Sequence, residues 1–252
     1  MKFKTPFEWF ENSINVALIG AGGSGSQMLS GLSKIDYSIK QLEHQGLNVT
    51  VFDPDTVSAA NVGRQNFYPA DIGQNKAVLL IHRANLFYGT TWSAHPIAFD
   101  PDEYDFRTYD IIICCVDKAQ FRADLVKASQ DIYNAGFLLD MGNGSSTGQV
   151  IFGHLGKVSD DMLRLPNVFD YYPELDGMDD SDYPSCSMQE ALSKQDLFVN
   201  SGVVQPSLNL LWSLLRHGGL DHQGVYVDVS TGEASPINIM AAEERVLPIW
   251  KR

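Results

Sequence analysis

The sequence predicts an α/β fold, a Rossmann-like and mostly parallel sheet with helices on both faces. Three observations predict it. Short apolar runs end at a glycine or an aspartate, as Val16-Ala17-Leu18-Ile19 does before Gly20 and Val49-Thr50-Val51-Phe52 before Asp53. Segments with helical spacing separate these runs. The runs are continuous and do not alternate, as strands buried on both faces of a parallel sheet require.

In chain order, residues 15–20 read as the first strand. A helix over 24–34 follows, with Met28, Leu29 and Leu32 on one face, and 35–47 form an irregular or helical extension. Residues 49–52 are the second strand and 75–88 the next helix. Ile97 begins a short strand, and 100–109 make an acidic loop or helical turn. Asp110-Ile111-Ile112-Ile113-Cys114-Cys115-Val116 is the plainest strand, followed by a helix over 119–130 and a strand over 137–140. A Gly/Ser-rich turn, Gly142 to Gly148, leads into a strand over 149–154.

The second half has a different pattern. Residues 157–185 read as one long loop with Asp170, Glu174, Asp176, Asp179, Asp180 and Asp182 among Tyr171, Tyr172 and Tyr183. Loops of that length in compact domains are usually lids, binding loops or disordered. Residues 187–216 read as helical in one or two pieces despite Pro206, with Leu208, Leu211, Leu214 and Leu215 as the stripe and Gly218-Gly219 as the stop. Residues 225–229 alternate like a strand, and Ser230 to Glu233 turn into a last strand near Ile237.

Composition narrows the function. The chain has 252 residues, enough for one α/β domain with a sizeable core. Net charge is −13 and the pI is about 4.7, which argues against a nucleic-acid surface. The cysteines are Cys114, Cys115 and Cys186, a sparse odd set that fits a reducing compartment, and no CxxC pair exists to build a four-cysteine zinc site. Met1 to Phe10 lacks the apolar region of a signal peptide, and no apolar run reaches membrane-spanning length, so a cytoplasmic protein is expected. The histidines show no metal-ligand spacing.

Every polar residue of chemical interest in the first half follows a strand end, where ligands of such sheets bind. Gly20, Gly22, Gly23 and Gly25 form a GxGGxG turn between strand and helix. Glycines there let backbone amides approach a phosphate, although the same turn also occurs without a ligand. Asp53 ends the second strand, where a carboxylate can accept both ribose hydroxyls or simply be a solvated acid. Asp117 follows Val116 at a third strand end.

The wider spacing, Asp53-x-Asp55-x-Val57-x-x-x-Asn61-x-x-Arg64-Gln65, then Gly73-x-x-Lys76, then Asp117 with Arg122 after it, resembles the ThiF/MoeB-type adenylating enzymes of the ubiquitin-activating-enzyme-like superfamily. The resemblance covers about residues 12–155 in motif order and the rest loosely. Ser185-Cys186-Ser187, Gln195 and the helix after them look closest to the ThiF-family proteins of PRTRC plasmid-type gene systems.

The resemblance implies a single adenylation domain over 1–252. Residues 12–155 form its nucleotide-binding half, and 156–252 carry a crossover loop, a helix and terminal strands. It implies ATP and Mg²⁺ as cofactors, and a small ubiquitin-like or sulfur-carrier β-grasp protein as partner. The carrier's C-terminal carboxylate would be adenylated. It also implies a homodimer. Gly20, Gly22, Gly23, Gly25, Asp53, Asp55, Asn61, Arg64, Gln65 and Lys76 would bind the nucleotide. Arg64 and Lys76 would sit on the phosphates, and one such donor is typically worth about 3–4 kcal/mol in the transition state. Asp117 would hold Mg²⁺, a hard oxygen ligand for a hard cation. Taken singly, Arg64 reads as a surface arginine, Lys76 as a solvated helix residue, and Asp55 as a solvated strand-end acid or a helix cap. Arg122 reads better as support for Asp117 or its loop than as an ATP contact.

The chain departs from the family pattern at Ala60, where Ser often stands, and at Lys118, where Asn often stands. Residues 1–20 hold Lys2 and Lys4 but no arginine to insert into a partner's site, and the zinc cysteines are missing. Cys186 can be read as a nucleophile that takes the activated carboxylate, or as a small residue packed under a loop. The acidic stretch 170–182 would favour a basic tail or partner surface. Other readings stay open: an NAD(P)-dependent oxidoreductase, adenylation of a non-protein carboxylate or tRNA base, and a non-catalytic partner of an adenylating enzyme.

Overall fold

In a computed structural model of the chain, residues 1–159, 162–178 and 195–239 are described. Asp179, Asp180, Asp182, Tyr183, Cys186 and the rest of residues 179–194 lie outside them.

An eight-stranded sheet organises the chain. Its parallel part is β2 (Ile14–Ile19), β3 (Leu47–Phe52), β4 (Ser93–His95), β5 (Ile111–Cys114) and β6 (Phe137–Asn143), in the spatial order β4-β3-β2-β5-β6. Beyond β6 come β7 (Thr147–His154), β9 (His222–Asp228) and β10 (Glu233–Asn238), each antiparallel to its neighbour. The predicted fold class therefore holds, with the alternating strands in the second half. A separate pair joins β1 (Phe3–Lys4) to β8 (Gly219–Leu220).

Two apolar clusters cover the two faces. On one, α2 (Gly23–Lys40), α3 (Lys76–Tyr88) and α6 (Val199–His217) pack on Ile14, Val16 and Leu18. On the other, α4 (Ala119–Ser129) and α5 (Val168–Tyr171) pack on Ala17, Ile19 and Ile112. Alternate residues of β2 thus serve opposite faces, and the strand is apolar throughout. Leu208 of α6 sits where a Cβ on Gly31 would be, so this glycine lets α2 and α6 approach closely. Among the described residues, no helix is long and apolar enough to cross a membrane.

Several elements differ from the sequence reading. The first helix runs on to Lys40 because Ile35 and Ile39 continue its buried face. Asp36 is buried there and accepts the Leu47 amide at 2.7 Å. The strand expected at Ile97 is instead Ser93–His95, since Pro96 has no N–H to extend the ladder and Ile97 is exposed. The apolar run 110–116 outlasts its strand, which ends at Cys114; Cys115 still donates its amide to the Ile19 carbonyl at 2.8 Å, and Val116 lies beside Gly20. The loop after 157 contains α5, whose Asn167 accepts the Phe169 amide at 2.9 Å, while Asp170 accepts the Asn167 amide at 2.7 Å. That is a reciprocal capping box, with its Asn-x-x-Asp pattern present in the sequence. Residues 195–198 precede α6 instead of belonging to it, and α6 contains Pro206.

The short α1 (Glu8–Glu11) and the strand before it are part of the core. Phe3 and Trp9 meet Phe137 edge-on at 5.7 and 5.4 Å, and Thr5 donates to the Leu214 carbonyl. His154 lies against Phe3 and Phe137. Its Nδ1 accepts the Leu165 amide at 2.9 Å, and its buried Nε2 has no partner among the described residues. Burial, and then Arg164, push its pKa down to about 4. The unfolded chain binds this proton near the ordinary value of 6.5, so stability is full above that pH and falls as pH drops towards 4. The loss from this one group reaches about 2 kcal/mol at pH 5. Urea unfolding at pH 7 and pH 5 should show that His154→Asn, which keeps an acceptor for Leu165, loses about that much less than wild type. Equal losses would remove His154 as the acid-sensitive group.

Candidate nucleotide site at the strand ends

The chain steps from β2 to β3 on one side and later returns to β5 on the other. A crevice opens at the carboxyl ends of such strands, at the point where the order reverses. Gly20 occupies it with φ +90°, donating its amide to Phe52 at 2.9 Å. A Cβ there would lie 3.1 Å from the Cys115 carbonyl oxygen, so the turn is wedged between two strand ends. A Cβ on Gly25 would overlap the Gly20 carbonyl oxygen. The N-terminus of α2 then points into the crevice with no side-chain cap and no acidic residue in its first turn. Its first amides lack intrahelical acceptors, which makes it a ready anion site.

Asp53 is buried at the end of β3. One carboxylate oxygen accepts the Ala21 amide at 2.6 Å, and the other accepts the Asp55 amide at 2.8 Å. Burial raises its pKa, against the pull of those two amides. The residue is thus a clamp between the glycine turn and the loop after β3, a role its position alone did not reveal. A carboxylate has about four acceptor sites, so capacity for ribose hydroxyls remains.

Lys76, read singly as a solvated helix residue, is buried, with its side chain 7% exposed. It opens α3, and its Nζ meets the exposed Asp55 carboxylate at 2.9 Å. Asp55 is therefore an ion-pair partner and does not cap the helix; Asn75 caps it, accepting the Val78 amide. Asn75 also donates to the carbonyls of Asp53 and Asp55, both at 3.0 Å.

Residues 61–66 fold back over α2. The Asn61 side-chain oxygen accepts the Ser58 amide at 2.9 Å, and its carbonyl accepts the amides of Arg64 and Gln65. Asn66 bonds Ser26 through both backbone and side chain. This docking brings the Gln65 Nε2 within 3.8 Å of where a Gly22 Cβ would be, and the buried Gln65 Oε1 has no partner among the described residues. Arg64 is half-buried, and that burial lowers its pKa. Its guanidinium reaches the Gln195 Oε1 at 3.5 Å.

Asp117 is exposed after the end of β5. Arg122, buried beneath it, donates to the carbonyls of Val116 at 3.0 Å and Met141 at 2.9 Å. It also pairs with the fully buried Asp140 at 3.2 Å. Burial pushes the Asp140 carboxyl up while Arg122 pulls it down. Arg122 therefore holds the loop that carries Asp117. Cys114 lies in the core, where burial, and then Asp140, push its thiol up to about 12; Cys115 is half-buried against the opposite cluster, and burial raises its pKa as well. Among the described residues, no group of three or more His, Cys, Asp or Glu is arranged around a metal.

Two polar residues at this edge escaped the sequence reading of the site. Asn200, in the first turn of α6, accepts from Ser24 at 3.0 Å and from Asn143 at 2.6 Å. Gln195, noted only as a subgroup marker, bridges Arg64 and the Gly144 carbonyl. No local pattern marks these residues, since they reach the site only through the packing of α6. Cys186 lies outside the described residues.

Comparison with known proteins gives a consistent lineage. The model of the ThiF family matches residues 9–200. Over 115 residues the chain is 30% identical to the NEDD8-activating enzyme E1 catalytic subunit of Dictyostelium discoideum, covering 44% of this chain and 24% of that relative. The chain thus spans about a quarter of that relative's length. Among solved structures, PaaA superposes with a TM-score of 0.59 at 17% identity, over 93% of this chain and 66% of PaaA. MccB of E. coli superposes with a TM-score of 0.57 at 15% identity, over 92% of this chain and 63% of MccB. At those identities the two structures speak for the fold alone. The family match spans well over half of the sequence and includes the glycine turn, the docked loop and Asp117, and the chain belongs to the ThiF family.

Proposed function

We propose that this chain uses ATP and Mg²⁺ to adenylate the C-terminal carboxylate of a small ubiquitin-like or sulfur-carrier protein. The observation that carries the reading is the loop over residues 61–66 docked on an uncapped helix N-terminus, with Arg64 and the buried Lys76 at the same strand ends. The buried Gln65 oxygen, which has no partner among the described residues, fits a ligand lodged in that crevice. Family membership and the E1-type relative support the same chemistry.

In the proposed reaction a carrier carboxylate oxygen bonds to the α-phosphorus. The bond from that phosphorus to the bridging oxygen breaks, and pyrophosphate leaves. Two anions must approach each other, and the leaving group gains charge. Arg64, Lys76 and the α2 amides offset that charge, fixed in place before the reaction begins. The Asn61 carboxamide oxygen is engaged by Ser58, which leaves its NH₂ to donate to phosphate. Asp53 retains acceptor capacity for the ribose. Asp117 is the carboxylate available to Mg²⁺, which commonly binds through one or two carboxylates plus substrate phosphates. Mg²⁺ would neutralise phosphate charge. Arg122 keeps the Asp117 loop in register. The carrier partner, a homodimeric assembly and a cytoplasmic location belong to the same proposal, as does acyl transfer to Cys186.

ATP–pyrophosphate exchange with β-grasp carriers ending in a free glycine should be positive with wild type. Arg64→Ala and Lys76→Ala should each lower it by about 10²–10³-fold. No exchange with any carrier, or an Arg64→Ala enzyme equal to wild type, would overturn the reading. Acyl transfer is tested separately: a quenched reaction should hold a reductant-sensitive adduct that Cys186→Ala abolishes while exchange persists. An adduct surviving in Cys186→Ala would exclude that cysteine.

A further inference from the structure

The carboxamide of Asn200 has no role in the reading above. It enters from the opposite end of the sequence, on the first turn of α6, and is 94% buried (6% exposed). Its Oδ1 is fully engaged, accepting the Ser24 hydroxyl at 3.0 Å and the Asn143 Nδ2 at 2.6 Å. Its Nδ2 makes no hydrogen bond to the described residues. That NH₂ lies 2.6 Å from the position a Cβ on Gly23 would take, nearer than any other atom. Cα–Cβ bonds of a helix tilt towards its N-terminus, so a group in that position stands at the mouth of α2. Gly23 is the first residue of that uncapped helix. An unpartnered donor and a helix end stripped of side chains therefore converge on one point.

We infer that Asn200 is a nucleotide-binding residue whose Nδ2 donates to a phosphate oxygen of the bound nucleotide at the α2 N-terminus. Gly23 is glycine because the Asn200 carboxamide fills the space of its side chain. Ser24 and Asn143 are its positioning residues, since together they hold the oxygen away and the NH₂ forward. The contact makes the phosphate site a joint product of the two halves of the chain. The segment leading into α6 is tied to the same place, as Asp196 donates to the Ser145 carbonyl and Gln195 reaches Arg64. This inference rests on the proposed ATP site and adds a residue to it.

Equilibrium titration of the intact chain with ATP and with adenosine tests it. Asn200→Ala should weaken ATP by about tenfold or more, the scale of a hydrogen bond to a charged group, and leave adenosine unchanged. Asn200→Asp keeps the acceptor for Ser24 and Asn143 but turns an oxygen towards the phosphate, so it should weaken ATP further. This near-isosteric variant also decides the matter if the alanine protein does not fold. Gly23→Ala should weaken ATP too, and combining it with Asn200→Ala should add little to the loss caused by Asn200→Ala alone. ATP affinity unchanged in Asn200→Asp, or equal losses for ATP and adenosine, would overturn the contact. Wild type that binds no ATP would overturn the nucleotide reading and this inference with it. Wild type that binds ATP as tightly as the Asn200 variants do would overturn the inference alone.

Discussion

The two hydrogen bonds accepted by Asp53 hold the strand-end architecture together. One carboxylate oxygen takes the Ala21 amide from the glycine turn, and the other takes the Asp55 amide from the loop after β3. Hydrogen bonds to a charged group are worth about 1.5–3 kcal/mol each, and losing the acceptor would strand two amides in a buried place. With this clamp closed, Gly20 fits between β3 and β5, and α2 starts at the crevice. Asp55 is then placed for Lys76, whose ammonium loses most of its solvent and requires that partner.

The same edge is completed from further along the chain. Asn66 holds the 61–66 loop on α2, Arg122 holds the β5 loop to β6, and Asn200 and Gln195 arrive with α6. The groups proposed to face the phosphates are thus fixed by packing and by buried and half-buried hydrogen bonds. Preorganised charge is effective in catalysis because it needs no rearrangement when charge develops. The glycines follow from the same crowding: Gly25 leaves room for the Gly20 carbonyl, and Gly23 for Asn200.

The parallel half of the fold was legible because its strands are apolar on both faces and end in glycine or aspartate. Legibility failed where tertiary contacts override local pattern. Residues 35–47 read as either irregular or helical, and Ile39 and Asp36 decide for helix as far as Lys40 through contacts with the core and with Leu47. The run 110–116 reads as one strand because Cys115 and Val116 continue its apolar pattern beyond the strand end at Cys114. The spacing puts Asn61, Arg64 and Gln65 on one loop and Asp117 after a strand end, and the structure has them there, while what they bind is a proposal. Lys76 read alone suggests solvent, and only the fold reveals its burial. Asn200 lies far along the chain from Gly23 in an ordinary helix start, so no spacing rule connects them. Phe3 and Trp9 join the core through a sheet pair whose partner lies more than two hundred residues away.

The central claim is that the Asp53–Gln65 segment turns a generic dinucleotide crevice into a triphosphate site. Side-by-side calorimetric titration of the intact protein with ATP and with NAD⁺, both in the presence of Mg²⁺, tests it most directly. The account predicts saturable binding of ATP and none of NAD⁺ at equal concentration. Saturable binding of NAD⁺ with no binding of ATP would contradict it.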